Sequence, residues 1–247
     1  MTLPRFALFR RPDPAEIAVS HEGAVYRVAL RRRAAARRLT LRVSSATGEA
    51  VLTIPERTDL GAAKRFADAH GGWIAARLAR VPDRVALVPG AVVPLRGVDH
   101  RIVHRMVALR RVSVAETSEG PVLAVSGETA GVAGRVRAFL QREARRDLEA
   151  AVARYAGALG VTPARIALRD TTSRWGSCSS RGGLNFSWRL VLAPPFVLDY
   201  LAAHEVAHLR EMNHSQRFWR LVHGACPATG EAEAWLKRHG AGLHRYG

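Results

Sequence analysis

At 247 residues, 48% of them hydrophobic, the chain is long enough to bury a substantial core in one large domain or two smaller ones without cross-links. Its two cysteines, Cys178 and Cys226, are far apart and form no CxxC pair, which argues against a disulfide framework and a cysteine zinc knuckle and fits a reducing compartment. The formal charge of +17 is carried almost wholly by arginine, since Lys64 and Lys237 are the only lysines; such a field attracts phosphate-bearing partners, yet the basic residues are dispersed rather than interleaved with aromatics.

The first sixteen residues, MTLPRFALFRRPDPAE, hold an apolar stretch too short for a signal-peptide core. The run Val85 to Leu95 is broken by Pro89, Gly90 and Pro94 and falls short of the ~20 residues of a membrane helix. A cytoplasmic protein with no membrane partner is therefore expected.

From Ile17 to about Val125, short β-branched runs alternate with Gly and Pro: VYRVAL, RLTLRVS, AVLTIP, HRIVHRMVAL and PVLAVSG. They predict strands. One helical insert, Leu60 to Arg80, places Phe66, Ala69, Trp73 and Ala76 at helical spacing, with Gly71 and Gly72 weakening its middle. SGETAGVAG, residues 126–134, reads as a linker, so a β-rich region is predicted over 1–128 and a second domain over 129–247. No internal repeat is visible in the sequence.

In the second half, an apolar stripe from Val136 to Leu159 predicts a long helix closed by Gly160. Strands are predicted at Arg165 to Arg169, Ser173 to Ser177 and Leu184 to Val191, the last two joined as a hairpin by SSRGG. Pro194 and Pro195 suit the start of a helix running to Met212. Two more helices follow, one capped by Ser215 and one from Glu231 to His239 closed by Gly240.

The HEVAH segment sits inside the helix predicted from Pro195. Residues four apart share a helix face, so His204 and His208 can direct both imidazoles at one ion, while Glu205 lies beside the ion where a water-activating base belongs. Catalytic zinc takes three protein ligands and keeps one position open. His214, ten residues after His204, is the first candidate for the third; His223, Glu231 and Glu233 are rivals. This spacing also occurs in HExxHxxGxxH proteases, but Glu211 stands at the glycine position and no Met-turn follows. The turn is expected at Asn213, a residue type that tolerates the left-handed conformation. Arg174, or the backbone from Ser173 to Ser177, is a candidate for contacting substrate and its developing oxyanion. Trp175 and Cys178 are expected in the core, and His21, His70, His100, His104, His239 and His244 are expected at the surface or in packing.

The motifs TSRWGSCSSRGGLNFSWRLVLAPP, DYLAAHEVAHLREMNHSQRFW and AWLKRHG, with the N-terminal RRAAARRLTLRV and GGWIAARL, closely resemble the YgjP-like metallopeptidase family. That resemblance implies a Zn2+ site of His204, His208 and His214 with Glu205 as base. The family is in turn similar to SprT-like proteases, whose histidine after the HExxH helix looks like His214, with Ser215 and Phe218 beside it. Those proteases act on DNA-bound proteins, and some members of the YgjP-like family are described as nucleoside triphosphate diphosphatases acting on UTP-like substrates. The leading expectation is a zinc metallopeptidase acting on proteins or peptides. The alternatives are a nucleotide hydrolase and a nucleic-acid-associated protease docked through Arg31 to Arg42. The expected architecture is α+β: a β-rich N-terminal region, then a zincin-like domain whose HExxH helix packs on a small sheet.

Overall fold

Alternation sets the first sheet. In β1 (Glu16–His21), Ile17 and Val19 are buried while the residues between them face solvent, and Val28, Leu52 and Ile54 continue the buried face on β2 (Ala24–Arg33) and β4 (Ala50–Pro55). With β3 (Thr40–Val43) the strand order is β1-β2-β4-β3; the β2–β4 pair is parallel and the other pairs are antiparallel. The computed structural model describes residues 14–81, 83–107 and 111–247, so the N-terminal stretch weighed as a signal peptide lies largely outside the described residues.

Two helices cover this sheet in place of the single one predicted: α1 (Leu60–Ala69), capped by the Asp59 carboxylate accepting from the Ala62 N–H at 2.9 Å, and α2 (Gly71–Leu78). The break falls at His70, just before the glycine pair. A β-carbon added at Gly71 would lie 2.9 Å from that of His21, so the pair lets the chain come hard against β1, and one uninterrupted helix is given up for that approach. Ala63, Ala67 and Ile74 close the core.

The chain forms two compact units, 1–81 and 82–247. The second opens with β5 (Val92–Leu95), β6 (Val98–Arg105), β7 (Val112–Thr117) and β8 (Gly120–Ser126), ordered β5-β6-β8-β7 with β6 and β8 parallel. Strand order and pairing repeat those of the first sheet, a repeat of topology that the sequence does not display. The boundary predicted at 128/129 falls inside this unit. Its buried face, Val93, Leu95, Ile102, Leu123 and Val125, shares one core with Val132, Val136, Phe139 and Leu140 of α3 (Val132–Leu159), so the small-residue stretch is a turn within a continuous core rather than a linker.

Arg96, at φ +54, makes the β5–β6 turn. Its guanidinium donates to both carboxylate oxygens of Asp147, at 2.7 and 2.9 Å, and to Glu143 at 2.7 Å, fastening the hairpin to α3.

After α3, which ends at left-handed Gly160, come β9 (Arg165–Arg169), β10 (Gly176–Cys178) and β11 (Gly183–Ser187) in the order β10-β11-β9. The strand predicted from Leu184 to Val191 stops at Ser187, whose hydroxyl accepts from the Arg189 N–H and starts a 3-10 turn over Trp188–Leu192. The side chain of Arg189 is buried, and it donates to Asp170 at 2.8 and 3.3 Å and to the carbonyls of Leu243 and Tyr246, tying the end of β9 to the C-terminus. The unit closes with α4 (Pro195–Ala207), α5 (Gln216–Ala225) and α6 (Thr229–Leu243); α6 runs straight through Gly240, which was predicted to end it. Among the described residues no helix is long and apolar enough to cross a membrane. Among the described residues, six α-helices and three sheets make an α+β fold, with the HExxH helix α4 packed on the small β9–β11 sheet.

Candidate metal centre

α4 is apolar on nearly every side. Val197, Leu198, Leu201, Ala202, Ala203, Val206 and Ala207 are buried, so its few polar side chains are held where the core dictates. The helix ends at Ala207 rather than Met212. Leu209 N–H and Arg210 N–H bond three residues back, to Val206 and Ala207, which tightens the chain into a turn. Asn213 does not take the left-handed conformation: among the described residues only Glu22 and Arg96 do so without being glycine. It works through its side chain, which accepts from the Ser215 N–H at 3.0 Å, and Ser215 then caps α5 by accepting from the Phe218 N–H at 3.3 Å.

That turn brings His214 back over α4. The imidazole ligand atoms of His204, His208 and His214 lie within 4.8 Å of one another, and Nε2 of His204 and Nε2 of His214 are 3.1 Å apart. Two nitrogens on one tetrahedral zinc at ordinary bond lengths sit about 3.3 Å apart, so this spacing fits two ligands of a single ion. Beneath them lies fully buried Phe218, stacked on His208 at 4.4 Å and meeting His204 and His214 edge-on at 4.9 and 4.8 Å.

Outer partners turn two of the rings. His208 Nδ1 lies 3.0 Å from the Glu211 carbonyl, which can only accept, so this nitrogen carries the proton and Nε2 keeps its lone pair. His204 Nδ1 lies 3.3 Å from the Tyr200 hydroxyl, which donates to the Glu233 carboxylate at 2.9 Å. Burial holds the His204 imidazole down at about 4, reinforced by the neighbouring His208 and His214, and burial likewise lowers His208; neutral rings are the form that ligates.

Glu205 is 4% exposed. Burial pushes its carboxyl up to about 7, against the opposing pull of the Arg174 guanidinium. Facing it is β10, and the contact is so close that a β-carbon on Gly176 would lie 2.8 Å from both Cγ and Cδ of Glu205. The glycine of RWGSC is therefore a site residue: any side chain there must displace the carboxylate.

A cleft of about 480 Å³ is lined by Ser173, Arg174, Gly176, Ser177 and Cys178 on one side and by Glu205 and the three histidines on the other. Arg174 thus lines the cleft. Trp175 is half-buried, stacked on His244 at 4.8 Å and packed over Gly240, whereas half-buried Cys178 meets both the core and the cleft. The rival ligands His223, Glu231 and Glu233 are not in the cluster; Glu233 reaches it only through Tyr200. His100, Nδ1 2.7 Å from the Val98 carbonyl, and His104, bonded to the Gly127 carbonyl, are engaged in packing. Sequence reasoning missed Tyr200, reached Gly176 only as part of the stretch Ser173 to Ser177, and took Phe218 for ordinary packing. Tyr200 had a signal, four residues before His204 on the same face; Gly176 had none beyond its place in RWGSC.

An imidazole cluster beside a buried carboxylate, on a helix packed over a small sheet, belongs to metal-dependent hydrolases of the metallopeptidase class. The sequence profile of the YgjP-like metallopeptidase domain matches residues 37–239, and the chain belongs to the YgjP-like metallopeptidase family. The match runs across the division between the two compact units. No curated protein gives a significant sequence match. Among solved structures, the metallopeptidase zymogen of Pyrococcus abyssi abylysin is similar at a TM-score of 0.34 and 20% identity, covering 37% of this chain and 93% of that one.

Proposed function

We propose that the chain is a zinc-dependent metallopeptidase in which His204, His208 and His214 hold the ion and Glu205 is the general base. The observation that carries this reading is the buried Glu205 carboxylate set beside three imidazoles whose ligand atoms lie within 4.8 Å of one another. Three neutral imidazoles suit zinc and leave a position open for water or substrate. A bound zinc would supply Lewis acidity, polarising a substrate carbonyl and making a water more acidic. Glu205 takes the proton of the attacking water and passes it to the leaving amine, and a carboxyl held near neutrality is matched to both transfers. Tyr200 and Glu233 turn His204, and the Glu211 carbonyl turns His208, so that both present Nε2 to the ion. Arg174 faces the negative charge that develops on the substrate oxygen.

A nucleoside triphosphate diphosphatase has less in its favour, because among the described residues the groups of three or more metal-donor side chains comprise this imidazole triad and no carboxylate cluster of the kind that holds magnesium on phosphates. The discriminating experiment compares wild type with Glu205→Gln on an unfolded protein and on a panel of nucleoside triphosphates, each with zinc or magnesium. Zinc-dependent peptide cleavage should fall by at least ~10²-fold in Glu205→Gln while the metal stays bound. Magnesium-dependent nucleotide hydrolysis that survives the substitution, without peptide cleavage, contradicts the reading.

A further inference from the structure

Beside the metal cleft, and sharing Ser173, Arg174, Gly176 and Ser177 with it, lies a second cavity of about 310 Å³. Its remaining wall is formed by Arg169, Thr171 and Asn185 together with Trp175 and Phe186. Register explains the grouping. Asn185 of β11 pairs with Ser177 of β10, and Arg169 of β9 pairs with Ser187, two residues beyond Asn185, so Arg169, Asn185 and Ser177 share one face of the small sheet. Leu168, Leu184 and Phe186 alternate toward the cores, Phe186 also bordering the cavity. Polar contacts run across the shared face: Arg169 Nε donates to Asn185 Oδ1 at 3.3 Å, and Asn185 Nδ2 donates to Ser177 Oγ at 3.4 Å.

The charge balance of this cavity is one-sided. Two guanidiniums line it and no carboxylate does. The nearest acid along the chain, Asp170, is taken up by Arg189. Among the described residues Arg169 is held in no ion pair, and Arg174 acts on a carboxylate only at longer range, through the pull of its charge on Glu205. The Asn185 bond uses one donor of Arg169 and leaves its fork of N–H groups free, the geometry that grips a carboxylate through two hydrogen bonds.

β10 is an edge strand, paired with β11 alone. A peptide lying extended along that edge sends alternate side chains to opposite faces, one set toward α4 and the other toward Arg169. We infer that this cavity is a substrate subsite for an acidic side chain, Asp or Glu, near the cleaved bond, with Arg169 its specificity-determining residue and Arg174 at the wall it shares with the metal cleft. The inference rests on the peptidase reading above and names the substrate class within it.

The test separates the two. Binding of fluorescent alanine- and serine-based peptides bearing a single Glu, Gln or Lys is measured by anisotropy on zinc-loaded Glu205→Gln protein, so that no turnover is required. The same peptides given to the wild type report cleavage, and hence the peptidase reading, independently. The Glu peptide should bind about tenfold more tightly than the Gln peptide and the Lys peptide most weakly, as paired charges in a partly enclosed site predict. Arg169→Glu, placed on the same Glu205→Gln background, should reverse that order to favour Lys, which a merely structural role for Arg169 would not do; circular dichroism verifies its fold. Three results overturn the subsite: equal binding of the three peptides, no binding of any, or a preference for Glu that persists in Arg169→Glu. Tight binding of a nucleoside triphosphate that is lost in Arg169→Glu, without a preference among peptides, overturns the carboxylate assignment in favour of phosphate.

Discussion

The two walls of the metal cleft are held by different means. The helical wall is rigid because α4 is buried almost all round, and its chemistry follows from local geometry: one turn separates His204 from His208, and Glu205 comes next in the chain. The strand wall owes its place to contacts made through space. β10 is three residues long, at an edge, and reaches Glu205 only because Gly176 has no side chain. The helix thus fixes which groups stand together, and the strand fixes where the Glu205 carboxylate can stand.

Gly176→Ala breaks the strand wall while leaving the helical wall intact, and it carries the largest expected effect. The added carbon displaces the Glu205 carboxylate, and since misplacing a catalytic group by about 1 Å costs on the order of 10²-fold, kcat should fall by that much with zinc content and thermal stability little changed. If Gly176→Ala instead turns over normally, the close approach of β10 has no catalytic role. Tyr200→Phe probes the helical wall. Without its hydroxyl, His204 Nδ1 loses the relay to Glu233, and zinc affinity measured by chelator competition should weaken by roughly 10-fold. An unchanged affinity would show that His204 needs no outer partner.

The smallest effect sharpens the comparison from outside the cleft, at the end of β9. Burial alone would raise the Asp170 carboxyl, but the hydrogen bonds and charge of Arg189 outweigh it and hold the pKa below its usual value. Because the folded pKa is the lower one, the stabilisation is fully present above the unfolded value of about 3.9 and is lost as pH falls through the folded value. Asp170→Asn should therefore cost no more than about 1 kcal/mol in urea unfolding at pH 7, because solvent screens the half-exposed carboxylate, and the gap from wild type should narrow as the medium becomes more acid. A gap that widens toward low pH would refute the pair's contribution.

How much of this was legible in the sequence follows the same division. The HEVAH spacing pointed to His204 and His208 on one helix face, and His214 is brought beside them because the Asn213 and Ser215 caps make the return turn that a glycine makes elsewhere. The strands β2 to β4, β6, β8, β9 and β11 were visible as alternating or β-branched runs. What local pattern does not encode was not seen: the end of α4 at Ala207, set by a tightened turn; the His70 break, set by the approach of Gly71 to His21; and the division near residue 81, set by the core that α3 shares with β5 to β8. The repeated order of the two four-stranded sheets lies in pairing rather than in residues. Of the basic stretch from Arg31 to Arg42, Arg31 pairs with Glu49 and Arg32 donates to the carbonyls of Pro55 and Glu56, contacts within the first unit.

The central claim is that three histidines hold one ion, and it is tested most directly by metal analysis of purified wild type beside His204→Ala, His208→Ala and His214→Ala. About one zinc per chain in the wild type, and near-complete loss in each variant with circular dichroism unchanged, is the predicted result. Undiminished zinc in all three variants, or a wild type that takes up none when zinc is supplied, would contradict it.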